Sequence, residues 1–151
     1  MNWFKEKQIL VPFDFSEESV DAVKVALKLA PNREDVHVVH VLPELPAGDP
    51  YVVWDENCDA TRKKHARDQM EKQLAGLDVE NIHLDIGIGN ASSVIVDVAK
   101  KIPAGLIIIP SHGRTGVSRL LLGSVAERAV RLSPCPVLVL KRANQNDNDT
   151  A

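Results

Sequence analysis

Residues 106–140 read LIIIPSHGRTGVSRLLLGSVAERAVRLSPCPVLVL, and this stretch decides the fold. Leu106–Ile109 is a short, β-branched, aliphatic run of strand length. It stops at Pro110 and gives way to a loop rich in glycine and hydroxyls. Val125, Ala129 and Leu132 then recur at helical spacing, and Pro134 closes that helix. Val137–Leu140 is a second aliphatic run. A strand that returns to its own sheet through a helix must run parallel to where it began.

Outward from this unit the same alternation repeats. Gln8–Phe13 (QILVPF), Val36–Leu42 (VHVVHVL) and Ile82–Ile88 (IHLDIGI) are three earlier strand candidates. Val20, Val23, Leu27 and Ala30 mark a first helix behind Ser16, a good N-cap, with Glu17 and Glu18 where the helix dipole favours acids. Ala66, Met70, Leu74 and Leu77 mark a second, with Asp59/Lys63 and Asp68/Lys72 spaced for ion pairs on its outer side. Ile95, Val98, Ala99 and Ile102 mark a third, closed by Pro103. The pattern predicts an α/β fold: a single-domain, open five-stranded parallel sheet with helices on both faces. The first and fourth strands are uniformly apolar, as central strands are, and the third alternates with His83, Asp85 and Gly87 as an edge strand does. Order 3-2-1-4-5 fits, with the topological switch point between strands one and four. It leaves Val137–Leu140 as an apolar edge, which either a second subunit or the flanking helices must cover.

The bulk numbers agree with a globular domain. The chain has 151 residues, 44% hydrophobic and 26% charged, with a net charge of −3 from 18 basic and 21 acidic residues. That length suits one domain, and the charge excludes a nucleic-acid binder that works by bulk field. Cys58 and Cys135 are too few for a disulfide scaffold and point to a reducing, cytoplasmic setting. No signal peptide is visible at the start, and no aliphatic run approaches the roughly 20 residues of a membrane span. Residues 1–143 read as the domain and 144–151 as a disordered polar tail. Pro43–Trp54, with Tyr51 and Trp54, is a proline-rich excursion that serves either as a lid or as a loop pinned to the body.

The switch point says where chemistry belongs: the loops after strands one and four. The first is Pro12-Phe13-Asp14-Phe15-Ser16. The second, from Pro110 to Ser124, gathers Gly113 and Gly116, Arg114 and Arg119, and several hydroxyls, then opens a helix at Gly123-Ser124. Glycines let backbone N–H groups turn toward an anion, and a helix N-terminus adds partial positive charge, so these features describe a phosphate cradle. Ser124-Val125-Ala126-Glu127 also reads as a capping box, in which the serine serves only its own helix. Asp14 is equally two-sided: it takes a ligand hydroxyl, or it caps the first helix with Ser16. His112 and Asp14 are the only nearby candidates for a catalytic base, so no dedicated enzyme is indicated. No metal site is expected: His37 and His40 point to opposite faces of their strand, and neither cysteine has a partner at zinc spacing. A receiver-type phosphoacceptor is excluded, because the third strand ends Gly87-Ile88-Gly89-Asn90 with no acid.

Three segments resemble the universal stress protein family, and the resemblance runs from Gln8 to Arg142. They are Ile9-Leu10-Val11-Pro12-Phe13-Asp14-Phe15-Ser16, the span Ser111–Gly116 with Leu120–Arg128, and Pro134-Cys135-Pro136-Val137-Leu138-Val139-Leu140. The resemblance implies the adenine nucleotide alpha hydrolase-like arrangement of strands 3-2-1-4-5 and a homodimer joined through the fifth strands. One branch of the family binds ATP and is marked by glycine, two residues, glycine, nine residues, glycine, then serine or threonine. Gly113, Gly123 and Ser124 match that pattern, and Pro110 stands where its first glycine would be. Proline has no N–H to donate and a fixed φ, so it replaces such a glycine only if that position makes plain contact. The implied nucleotide contacts are Pro12, Asp14, Val41, Ile109, Pro110, Gly113, Arg114, Gly116, Gly123, Ser124 and Val125. The implied ligand is ATP, with Mg²⁺ carried on its phosphates, in a stress-response regulator that is at most a slow ATPase. The alternative is a homodimeric scaffold that binds no nucleotide. No nucleic acid or membrane partner is expected.

Overall fold

A computed structural model of the chain describes residues 7–50, 58–112 and 122–141. Strands β1 (Gln8–Pro12), β2 (Val36–Leu42), β3 (His83–Ile88), β4 (Ala104–Pro110) and β5 (Val137–Leu140) form one parallel sheet in the order β3-β2-β1-β4-β5. This is the order the alternation predicts. The described helices are α1 (Glu17–Leu29), α2 (Cys58–Leu74), α3 (Ala91–Lys101) and α4 (Ser124–Leu132), with a 3₁₀ turn at Arg33–Asp35.

Alternation along each strand sorts its side chains onto two faces. Ile9, Val11, Val36, Val38, Leu106 and Ile108 pack under α1 and α2, against Ala22, Val23, Ala26, Met70 and Leu74. Leu10, Val39, Ile107 and Ile109 pack under α3 and α4, against Ile95, Ala99, Ala126 and Ala129. Because both faces of β1 and β4 are covered, Ile9, Leu10, Val11, Ile107 and Ile108 are all fully buried. Hence the unbroken apolar runs that mark those strands in the sequence. Gly87 keeps α3 close to the outer strands: a Cβ there would lie 2.5 Å from Val94 Cγ1.

Local details depart from expectation in three places. Leu77 lies beyond the end of α2, yet it still packs on the first face. On α4 the buried positions are Ala126 and Ala129, while Val125 and Leu132 are 36% and 48% exposed. Two small residues let the helix lie close to the sheet, which leaves the larger aliphatics on its flanks. On α2 the ion pairs are Arg62–Asp59, Lys64–Asp68 and Arg67–Glu71. Among the described residues, neither Asp59/Lys63 nor Asp68/Lys72 forms. Several cations compete for each exposed carboxylate, and such pairs differ by well under about 1 kcal/mol, so helical spacing alone does not choose among them.

His37 and His40 do face opposite sides. His40 meets the Phe15 ring, and His37 stacks on His83, its register partner on β3, with centroids 4.3 Å apart. The Gln8 amide donates to Asp35 Oδ1 at 3.2 Å, so its carbonyl end faces His37 Nε2 at 2.7 Å. That network assigns the Nε2 proton. Nδ1 is left buried, without a hydrogen-bond partner among the described residues, 3.5 Å from Asp85 Oδ2. The close polar contact with the His37 ring holds the Asp85 carboxyl below its ordinary range; burial opposes this, and the electrostatic pull of His37, His83 and Arg67 adds to it. A depressed folded-state pKa contributes stability above the unfolded value of about 3.9, and that contribution disappears as pH falls through the folded value. Asp85 is half exposed, so we expect Asp85→Asn to cost at most about 1 kcal/mol near pH 6 in urea unfolding. The two proteins should converge in stability as pH falls from about 3.9 through the lower folded-state pKa of Asp85. A gap that persists or widens in acid contradicts this assignment.

Candidate functional site

The two central strands separate at their carboxyl ends. β1 pairs with β4 only as far as Leu10 and Ile107. Beyond that, β1 stays with β2 to Pro12–Val39, and β4 stays with β5 to Pro110–Leu140. The connection after β1 leads to α1 on one face, and the connection after β4 leads to α4 on the other. The divergence opens a crevice at the topological switch point, where ligands of open α/β sheets bind.

The first wall is the turn from β1 into α1. Phe13 N–H still donates to Val39 O at 2.7 Å. Phe15 then takes φ +66°, a left-handed conformation that is costly for a bulky side chain. Asp14 Oδ1 accepts the Ser16 N–H at 3.0 Å and also the Ser16 hydroxyl, and Ser16 Oγ accepts the Ser19 N–H at 3.2 Å. Asp14 therefore buttresses the capping residue and does not cap α1 itself. It is half-buried at the lip of the crevice.

The second wall is built by Ser111, which the sequence shows only as the start of a motif and not as a site residue. Its N–H donates to Leu140 O at 2.9 Å, and its carbonyl accepts the Gly123 N–H at 2.7 Å. The second bond returns the start of α4 to the end of β4. Gly123 is the N-cap, and among the described residues no side chain caps this end, whereas Ser16 caps α1 and Asn90 caps α3. The first intrahelical bond runs from Glu127 N–H to Gly123 O, so the amides of Ser124, Val125 and Ala126 have no acceptor within the helix. The capping box anticipated at Ser124 and Glu127 does not form, because Ser124 is already the first helical residue. Ser124 and Val125 are both exposed.

Pro110 is buried within β4 and paired with Leu140. Ile107 and Ser111 donate toward β5, to Pro136 O and Leu140 O. By alternation the Pro110 nitrogen turns the other way, toward β1. There the β1 ladder has already ended, so the missing N–H costs the sheet no hydrogen bond. Ile109, Val41 and the neighbouring Leu10 and Val39 belong to one apolar cluster, and alternation from Leu10 places Pro12 on the same face. The structure thus brings Pro12, Asp14, Val41, Ile109, Pro110, Gly123, Ser124 and Val125 to the carboxyl end of the sheet. Gly113, Arg114 and Gly116 lie outside the described residues, as do Tyr51 and Trp54. Among the described residues, no three His, Cys, Asp or Glu side chains converge on a metal position, and no helix is long and apolar enough to cross a membrane.

Comparison with known proteins agrees with this geometry. The family model described as the universal stress protein family matches residues 6–141. Universal stress protein MJ0531 of Methanocaldococcus jannaschii is 34% identical over 140 residues, spanning 90% of this chain and 82% of its relative. MJ0577 of the same organism is 33% identical over 159 residues, spanning 91% and 96%. The solved structure of MJ0577 superposes with a TM-score of 0.72 at 32% identity, covering 93% of this chain and 99% of the other. Universal stress protein UspA from Lactobacillus plantarum superposes with 0.70 at 26% identity, covering 91% and 99%. Fold, strand order and sequence agree, and the chain belongs to the universal stress protein family.

Proposed function

We propose that the protein is a homodimeric, cytoplasmic regulatory module of the stress response that binds an adenine nucleotide, ATP with Mg²⁺ on its phosphates. The observation that carries this reading is the joining of the α4 N-terminus, which no described side chain caps, to the end of β4 through the Gly123–Ser111 bond, beside the point where β1 and β4 part. Unshared amides and the positive end of a helix dipole suit a phosphate chain. In this reading they come from Ser124 and Val125, with Gly123, whose own N–H is taken by Ser111, shaping the turn, and the family resemblance adds Gly113, Arg114 and Gly116 to the cradle. Pro12, Val41 and Ile109 offer an apolar wall for the base, and Asp14 takes the ribose hydroxyls. Pro110 contributes contact without a donor. A structural neighbour 18% identical to this chain, a universal stress protein, was solved in complex with cAMP, so the fold accepts an adenine nucleotide in that protein.

Binding, not turnover, is the activity that these residues support. His112 is a half-buried residue of the loop after β4, and the Asp14 carboxylate already holds Ser16. A carboxylate engaged as an acceptor at the capping turn is a binding group rather than a poised base, so hydrolysis is at most slow. Mass analysis of small molecules released from the purified protein should find an adenine nucleotide. Millimolar Mg-ATP should stabilise the fold by RT ln(1+[L]/Kd), about 2.7 kcal/mol at a hundredfold excess over Kd. Gly123→Val with Ser124→Ala should abolish that gain. An empty site with no melting shift favours the scaffold alternative, and binding that survives the double variant refutes this placement of the phosphates.

The dimer reading rests on β5. It is an edge strand of four residues, and Leu138 on it is 37% exposed. Val125, Val130 and Leu132 on the preceding helix add exposed apolar surface. An unpaired apolar edge of this kind is covered in stable proteins. Sedimentation analysis should find a dimer, and Leu138→Asp should shift it toward monomer with the fold retained. A wild-type monomer at tens of micromolar would contradict pairing through this edge.

A further inference from the structure

The two carbonyls that flank Asp14 are each held by a side chain from a different element. His40 on β2 places Nδ1 2.7 Å from the Phe13 carbonyl oxygen. A carbonyl only accepts, so Nδ1 is the donor in either protonation state of the ring. Gln73, in the last turn of α2, donates from Nε2 to the Phe15 carbonyl at 2.9 Å. The Phe15 ring packs edge-on against His40 at 4.7 Å and against Phe13 at 5.2 Å. Phe15 sits at φ +66°, and a side chain of that size keeps such a conformation only where its surroundings over-determine it. His40, Gln73 and the aromatic packing supply that constraint. Gln73 is exposed and part of no core, so its hydrogen bond to a loop 58 residues earlier asks for an explanation beyond packing.

We propose that His40 and Gln73 are positioning residues that set the Asp14 carboxylate at the lip of the crevice by holding the carbonyls of the residues before and after it, Phe13 and Phe15. The proposal rests on the nucleotide reading above, since Asp14 is the ligand-facing group that they serve. It makes α2 a strut of the site: a movement of that helix reaches Asp14 through one hydrogen bond. Neither residue touches the nucleotide, so their effect must vanish when Asp14 is gone.

The test is a double-mutant cycle read as Mg-ATP affinity by titration calorimetry. The four proteins are wild type, Gln73→Met, Asp14→Ala and the double variant. Methionine matches glutamine in length, is neutral and cannot donate. Gln73→Met should weaken Mg-ATP binding about threefold to tenfold in the wild-type background and leave it unchanged beside Asp14→Ala, the signature of coupled sites. His40→Ala should show the same pattern, with rescue by His40→Asn, whose amide restores a donor near the Nδ1 position. Equal losses in both backgrounds assign these residues a general structural role and overturn the proposal, as does no loss with Asp14 present. A wild type that binds no Mg-ATP removes the nucleotide reading and this inference with it. A wild type that binds, depends on Asp14 and ignores Gln73 and His40 removes the inference alone.

Discussion

The short pairing of β1 with β4 is the constraint on which the rest depends. Both strands are buried on both faces, which fixes them at the middle of the sheet. Their ladder ends at Leu10 and Ile107, and from there each follows its outer neighbour. Parallel strands discharge their connections at the same end of the sheet. Here one connection crosses to the face of α1 and the other to the face of α4. Two connections that leave one edge in opposite directions cannot close over the gap between them. The crevice is thus a consequence of topology, and the residues around it only decide what it holds.

Those residues divide their work between backbone and side chain. On the β4 side the useful groups are main-chain amides at the start of α4, held in place by Ser111, whose two backbone bonds reach β5 and Gly123. On the β1 side the useful group is a carboxylate whose position depends on Ser16, on a left-handed Phe15 and on clamps from β2 and α2. A site of dipoles and one supported carboxylate suits the recognition of a phosphorylated ligand better than proton transfer. The opposite end of the sheet carries a separate polar group, with Gln8, His37, His83 and Asp85 between β1 and β3. The lowered Asp85 pKa makes it an expected source of stability that acid removes, at the far end of the sheet from the crevice.

The sheet order was legible because burial on two faces writes itself as apolar runs, and burial on one face as alternation. Leu106–Ile109 shows the first, and His83–Ile88, with exposed His83 and Asp85, shows the second. Ser16 was legible because an N-cap has a residue type and a place. The inward face of α4 was not, since Ala126 and Ala129 carry too little hydrophobic signal to outrank Val125 and Leu132. The capping box at Ser124 misled because a one-residue change in where the helix begins turns a cap into a first helical residue. Backbone conformation left no mark either: nothing in Phe13-Asp14-Phe15 announces a positive φ, and the clamp from Gln73 spans too much sequence to read. The motif departure at Pro110 was plain in the sequence, but which way its nitrogen faces depended on the register with β5.

The central claim is that the turn holding Asp14 and the start of α4 form one ligand site. The most direct measurement follows backbone amide shifts of ¹⁵N-labelled protein during titration with Mg-ATP. Saturable, concerted shifts are expected at Asp14, Phe15, Val41, Ser124, Val125 and Ala126, with His83 and Asp85 at the far end of the sheet unmoved. Shifts absent from either wall of the crevice, or concentrated at that far end, would contradict it.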